Sequence, residues 1–307
     1  MEIKAILVTS VARMDMHRAN NGQNLLGNAT AIKRRNDGRV YIAGQMQRHA
    51  LFQSIDRLND NSDTYVSNSD GTSFMIERDL RADLGGFAFM EIPGEPGRRT
   101  GSVSAMTAVA LEPSNTISDL LLRLSTQDDD QDIVTMEISE SDEMCGSFSL
   151  DCRTLSTSKR HTYEPRATKR GIHVGTEIVQ HVDDAERKRR ARLFLEATRF
   201  VMDYSSQSRN ATTAEPQRVL LVLDPVYSRK ATRYFWAEEP ERKNIIEDLK
   251  ARGARYFLGD DTTAEGLSVR EAYEQAQAVL DEATLAGGSD TVLPYAETFE
   301  AMAPFRS

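Results

Sequence analysis

The residues best placed to do chemistry surround a glycine. Gly44 precedes a run, Gln45–Leu58, in which Gln45, Arg48 and His49 recur at i, i+3 and i+4. That spacing puts the three on one face of a helix. A helix N-terminus presents unbonded N–H groups and the positive end of a dipole, which suits phosphate. Glycine ahead of it lets a backbone approach closely. Lys33, Arg34 and Arg35 lie just upstream and add charge that would neutralise further phosphates.

Other chemistries find less support. The run Asp128–Asp132 is acidic enough for a divalent cation, but no Asp, Glu or His stands at a spacing diagnostic of metal-dependent cleavage. The five histidines, His17, His49, His161, His173 and His181, show no metal-ligand spacing. There is no GxxxxGK[ST] loop and no GxSxG elbow. Cys145 and Cys152 are too few for a disulfide framework or a four-cysteine metal site. No cofactor is expected.

The elements that must position the basic face follow from periodicity. Ile3–Val11 and Val219–Leu223 read as buried strands, Arg39–Ala43 as a short one, and Ser102–Leu111 and Ser147–Thr154 as two more. Gln45–Leu58 is a helix with Met46, Ala50, Leu51, Ile55 and Leu58 inward. Asp183–Ser205 is a second, with acids at its N-terminus to suit the dipole. Lys243–Arg252 and Val269–Ala283 are two more. Residues 12–38 read as a long loop, 155–182 as a basic loop, and 112–146 as a short helical stretch followed by an acidic one. Gly86-Phe87-Ala88-Phe89 partly matches an RNA-recognition aromatic strand, but the flanking positions depart from it and the two rings read as packing residues. Arg187–Arg190 with Arg192 runs nearly round its helix, so part of it must face solvent.

The core order, strand, helix, strand, strand, helix, strand, predicts an α+β chain with a ferredoxin-like split βαβ arrangement. The 307 residues carry a net charge of -9 with 28% charged and 39% hydrophobic residues. The charge is unevenly placed. Residues 128–151 hold nine acids and no Lys or Arg, whereas residues 1–50 and 153–172 are each net positive by five. Distribution, more than the total, governs partner choice. No apolar run is long enough to span a bilayer, and the expected location is the cytoplasm.

At Val40–Leu51, VYIAGQMQRHAL, the sequence resembles the DevR-type backbone subunit of type I CRISPR effector complexes, called Cascade. That family has a first strand, then an Asn/Gly-rich loop, here from Arg18-Ala-Asn20-Asn21-Gly22 to Gly27-Asn28, then the strand-to-helix turn Ile42–Ala50. Arg98-Arg99-Thr100-Gly101-Ser102-Val103-Ser104 is similar to a further family strand, departing at Thr100-Gly101, where Ser-Pro is more usual. The helix Asp183–Tyr204 and the strand Val219–Leu223 follow in the family's order.

The resemblance implies one domain with an RNA-recognition-like palm (1–58, 101–111, 147–307), a fingers insertion (59–100) and a thumb insertion (112–146). It implies a non-catalytic subunit that polymerises head-to-tail along the guide RNA spacer and orders it for pairing with target DNA. Implied partners are guide RNA, target DNA, further copies of the chain, a cap subunit at the guide 5′ handle, large and small subunits and a guide-processing endonuclease. No membrane partner is expected. Carried over by position, Arg48 and His49 hold guide phosphate, with Arg18, Asn20, Lys33, Arg34, Gln45, Arg98 and Arg99 as further contacts. Lys159, Arg160, Arg166, Lys169 and Arg170 join on charge alone. Head-to-tail contact through the acidic segment is a further expectation. Two alternatives stay open. One is a backbone subunit that cuts target RNA with Asp15. The other is a stand-alone RNA-binding or regulatory protein.

Overall fold

The computed structural model describes residues 1–20, 23–24, 29–60, 63–68, 73–89, 97–124, 131–164, 171–205 and 210–299. Its centre is the strand Ala5–His17, of which Ala5–Ala12 is buried throughout. A strand buried on both faces needs cover on both, and the alternation of side chains sorts that cover. Ile6 and Val8 face one core together with Leu51, Phe52, Ile55, Phe194 and Tyr273. Leu7 and Val11 face another with Leu220, Val222, Phe235, Ile245 and Leu249. Helices α1 (Gly44–Leu58), α2 (Asp184–Ala197) and α4 (Val269–Glu282) form the first cover. Helix α3 (Glu239–Ala251) and the turn Lys230–Arg233 form the second.

Ala5–His17 pairs antiparallel with Arg218–Asp224 on one side and with the 21-residue strand Gln131–Asp151 on the other. Gln131–Asp151 carries Val103–Ala105 and Ala108–Ala110, and Arg218–Asp224 carries Arg255–Asp260, all antiparallel. Across the sheet the order is thus Arg255–Asp260, Arg218–Asp224, Ala5–His17 and Gln131–Asp151, with Val103–Ala105 and Ala108–Ala110 on the last strand's other edge.

Helix α1 keeps the expected stripe: Ala50, Leu51 and Ile55 are buried, Met46 and Leu58 pack against the core, and Phe52 joins them. Helix α2 begins where Asp183 accepts the Glu186 N–H at 2.7 Å. Four expectations give way. The loop expected over 12–38 starts six residues late in favour of strand. Met14 and His17 point in while Arg13, Asp15 and Met16 are exposed. In that strand His17 Nε2 meets Asp142 at 2.7 Å, fully buried. The helical stretch expected within 112–146 is instead the strand Thr116–Leu124, paired with Gln131–Ser139. The basic loop is a hairpin, Thr157–Glu164 against Ile172–Gln180. The strand expected over 102–111 breaks at Met106-Thr107 into two short strands.

Candidate nucleic-acid interface

Helix α1 starts at Gly44 with Ala43 as its N-cap. Ala43 supplies no side-chain hydrogen bond and the first turn holds no acid, so the N–H groups there are not satisfied by a cap. Gly44 is required by packing: a Cβ at this position would lie 2.7 Å from the Ala105 carbonyl oxygen. The helix N-terminus and the strand Val103–Ala105 therefore form two adjoining walls. Their cleft, about 640 Å³, is lined by Gln45, Arg48, His49, Arg81, Gly101 and Ser104 among others.

Two guanidiniums share its floor. Arg81 lies 4.9 Å and Arg48 5.9 Å from the centroid of the buried Phe52 ring. Arg81 Nε donates to the Ser67 carbonyl at 2.5 Å. Burial lowers the Arg81 pKa, Asp79 opposes that effect, and the nearby Arg48 charge adds to it. Both guanidiniums stay charged at neutral pH. Among the described residues neither forms an ion pair with a carboxylate. Two like charges beside open N–H groups make a site whose complement is an anion.

Of the residues expected to bind RNA, Gln45, Arg48 and His49 meet in this cleft. The others are dispersed. Arg98 is exposed on the strand Gly97–Thr100, but alternation turns its neighbour inward. Arg99 is buried, with Nη2 bonded to Asp83 and the Thr154 carbonyl at 2.7 and 2.8 Å and Nη1 to the Thr157 carbonyl at 2.7 Å. Arg18 and Asn20 are buried, and Asn20 donates to the Tyr41 carbonyl at 3.2 Å. Lys33 is half-buried outside the cleft. Arg34 bonds Thr116 and Glu137, at 2.9 and 3.1 Å. Lys159 is exposed on the hairpin, and Arg160 pairs with Glu177 at 2.6 Å. Arg166, Lys169 and Arg170 lie outside the described residues, as do Asp128, Asp129 and Asp130.

The rest of the acidic segment is partly consumed by the fold: Glu137 meets Arg34, Glu143 meets Arg218 and Asp142 meets His17. Two arginines of the basic run on α2 are internal, while Arg192 is exposed. Arg187 donates to the Leu155, Cys152 and Ala286 carbonyls, and Arg190 to Asp83 and Glu186. Asp15 is exposed, and hydrogen bonds from Ser141 and Arg13 hold its carboxyl below the usual range, so it is ionised. Burial pushes both thiols, Cys145 and Cys152, to about 12, which leaves them unreactive. Phe87 packs edge-on against Tyr295 at 5.3 Å, as a packing residue should. Sequence reasoning missed Arg81. It belongs to no periodic pattern, and its one signal is a cation shortly before Gly85-Gly86.

The chain shares its fold with chains of CRISPR RNA-guided surveillance complexes. One solved structure of that description superposes with a TM-score of 0.54 at 13% identity, covering 90% of this chain and 99% of the other. A second, of a CRISPR RNA-guided surveillance complex before nicking, gives 0.54 at 9% identity with the same coverage. No protein-family model matches the sequence, and no curated protein matches it. The cleft at α1 thus sits in a fold also found in assemblies described as RNA-guided. Among the described residues no helix is long and apolar enough to cross a membrane.

Proposed function

We propose that this chain is a non-catalytic backbone subunit of a CRISPR RNA-guided surveillance complex of the type I, Cascade kind. Its α1 cleft grips the guide RNA backbone. The observation that carries the reading is the pair Arg48 and Arg81, neither of them in an ion pair among the described residues, at a helix N-terminus without a side-chain cap, in a fold alignable over nearly the whole of both chains. The strand order supports a ferredoxin-like palm. Phosphate contacts of this kind hold a strand without reading its sequence, so specificity falls to base pairing. Copies assemble head-to-tail along the guide, each contributing one such cleft, and the held guide pairs with target DNA. Gripping requires no group that breaks bonds, and Asp15 serves the strand end through Arg13 and Ser141.

The test is co-expression with a CRISPR array, followed by the length of the co-purified RNA and the mass of the particle. RNA of one guide length in a particle of several copies supports the reading. A nucleic-acid-free monomer that also fails to bind added guide at low salt removes it. Cleavage of target RNA that is lost in Asp15→Ala would replace it with a ribonuclease.

A further inference from the structure

One cation near the cleft lies on the other side of the strand that walls it. Val103 packs into the core under α1, so alternation turns Ser104 toward the opposite face of the sheet. There Arg229 Nη2 donates to Ser104 Oγ at 3.0 Å and to the Tyr227 hydroxyl at 2.8 Å. The Arg229 guanidinium lies 5.4 Å from the Tyr227 ring centroid. Its loop is anchored: Ala231 and Phe235 are buried in the second core, and the Val226 N–H is held by Asp224 at 2.9 Å. Arg153 approaches the same ring at 5.3 Å but is neutralised by two hydrogen bonds to Asp151. Arg229 is exposed and has no carboxylate partner among the described residues. Across the ladder from Ser104 stands Ser149, 2% exposed, whose hydroxyl has no hydrogen-bond partner there.

We propose that Arg229, held in place by Tyr227 and Ser104, is a second phosphate-binding position that carries a single-stranded polynucleotide from the α1 cleft over the edge of the sheet. The inference rests on the reading of that cleft as a nucleic-acid site. Ser104 is common to both, so the two positions are contiguous. A guanidinium already aligned by a ring and two hydroxyl oxygens loses little freedom on meeting a phosphate. Within Tyr227–Trp236 the exposed Arg229, Arg233 and Trp236 alternate with the half-buried Tyr227 and Tyr234, an interleaving of basic and aromatic residues of the kind single-strand binders use.

The experiment strips the full-length chain of nucleic acid at high salt and titrates it with labelled oligouridine across a salt series. For single strands each phosphate neutralised contributes about 0.7 to the slope of log K against log salt. Arg229→Ala is expected to weaken binding several-fold at about 0.1 M salt and to reduce the slope by about 0.7. Arg229→Lys, which keeps the charge, is expected to restore the slope, whereas a role in packing alone would not be restored. Arg229 is exposed, so thermal unfolding of Arg229→Ala should match the wild type. Binding by Arg229→Ala equal to the wild type, with Arg48→Ala weakened, overturns this inference and leaves the cleft reading intact. Absence of binding by the wild type overturns both.

Discussion

Two arginine clusters sit on either side of the Phe52–Asp83 region, and they differ in one residue type. In the buried cluster Arg99 and Arg190 both meet Asp83, each at 2.7 Å, and all three are nearly or fully inaccessible. In the cleft Arg48 and Arg81 meet a phenyl ring and each other's field, and among the described residues neither forms an ion pair with a carboxylate, although Asp79 acts on Arg81 from beyond contact. The first cluster is closed in charge, and Ser156 also donates to Asp83 at 2.5 Å. The second has no paired carboxylate among the described residues, and Arg81 is held there through its Nε bond to the Ser67 carbonyl. The difference shows that arginine content alone separates nothing, and that a paired carboxylate marks the arginines that hold the fold.

The largest expected effect breaks the closed cluster. Burial opposes ionisation of Asp83, and Arg99 and Arg190 outweigh it, holding the carboxyl below the usual range. Removing the carboxylate strands the buried Arg99 and leaves Arg190 with Glu186 alone, a change worth about 3–5 kcal/mol. Asp83→Ala should therefore lose that much in urea unfolding, while Arg48→Ala stays within about 0.5 kcal/mol of the wild type. A loss for Asp83→Ala no greater than that of Arg48→Ala would mean the two clusters do not differ as described.

A second expectation concerns pH beside the closed cluster. His181 Nδ1 lies 2.8 Å from the Leu293 carbonyl and Nε2 2.8 Å from Ser158 Oγ. Burial pushes its pKa down from 6.5 to about 4. The folded state thus refuses a proton that the unfolded state accepts. Stability is fully present above about pH 6.5 and falls as pH drops toward 4. The loss is on the order of 3 kcal/mol at most. Unfolding measured across that window should show the fall in the wild type and a flatter profile in His181→Gln. Asp83 contributes only below that window, because its folded pKa is lowered and its stabilisation is lost on further acidification.

How much of this was legible in the sequence depends on whether a signal was local. The inward stripe of α1, the strand Val219–Leu223 and the outward Gln45, Arg48 and His49 all follow from spacing within one element. The Arg98-Arg99 doublet could not be divided without knowing that it lies in a strand, where alternation sends one side chain out and the other to Asp83. The run Arg187–Arg190 with Arg192 shows only that part of it must face solvent; which arginines turn inward depends on partners distant in sequence, here Cys152, Asp83 and Ala286. The hairpin of Thr157–Glu164 and Ile172–Gln180 was hidden by its own exposure: polar residues dominate its first strand, and Ile172, Val174 and Ile178 of the second face solvent instead of a core. Arg81 and Arg229 enter the picture only through tertiary contacts, with Phe52 and Ser104 respectively.

The open cluster can be sharpened through its glycine. Gly44→Ala puts a Cβ against the Ala105 carbonyl oxygen, which is backbone and cannot swing away. The helix start must shift, at a cost of about 1–3 kcal/mol. Affinity for single-stranded RNA should fall together with stability, because the same shift opens the angle between the cleft walls. A comparison is Gly266→Ala, at a positive φ of 85°, where an added methyl would meet no heavy atom within 4 Å. It should cost stability through backbone strain alone and leave RNA affinity unchanged.

The smallest expected effect on stability is the most diagnostic, because its sign opposes that of the closed cluster. Arg48 adds repulsion to Arg81, so Arg48→Ala should leave stability unchanged or raise it by a few tenths of a kcal/mol. The same change should weaken RNA binding about tenfold, or about 1.4 kcal/mol, and lower the salt slope by about 0.7. Arg81→Ala should repeat the loss of affinity with some loss of stability, since its Nε bond to the Ser67 carbonyl goes with it. If the two arginines hold one phosphate between them, the double variant should bind only slightly worse than either single one. If they hold separate phosphates, the losses should add and the slope should fall by about 1.4. Either pattern assigns the cleft a phosphate count. Unchanged affinity in all three variants would instead show that the open charge faces something other than RNA.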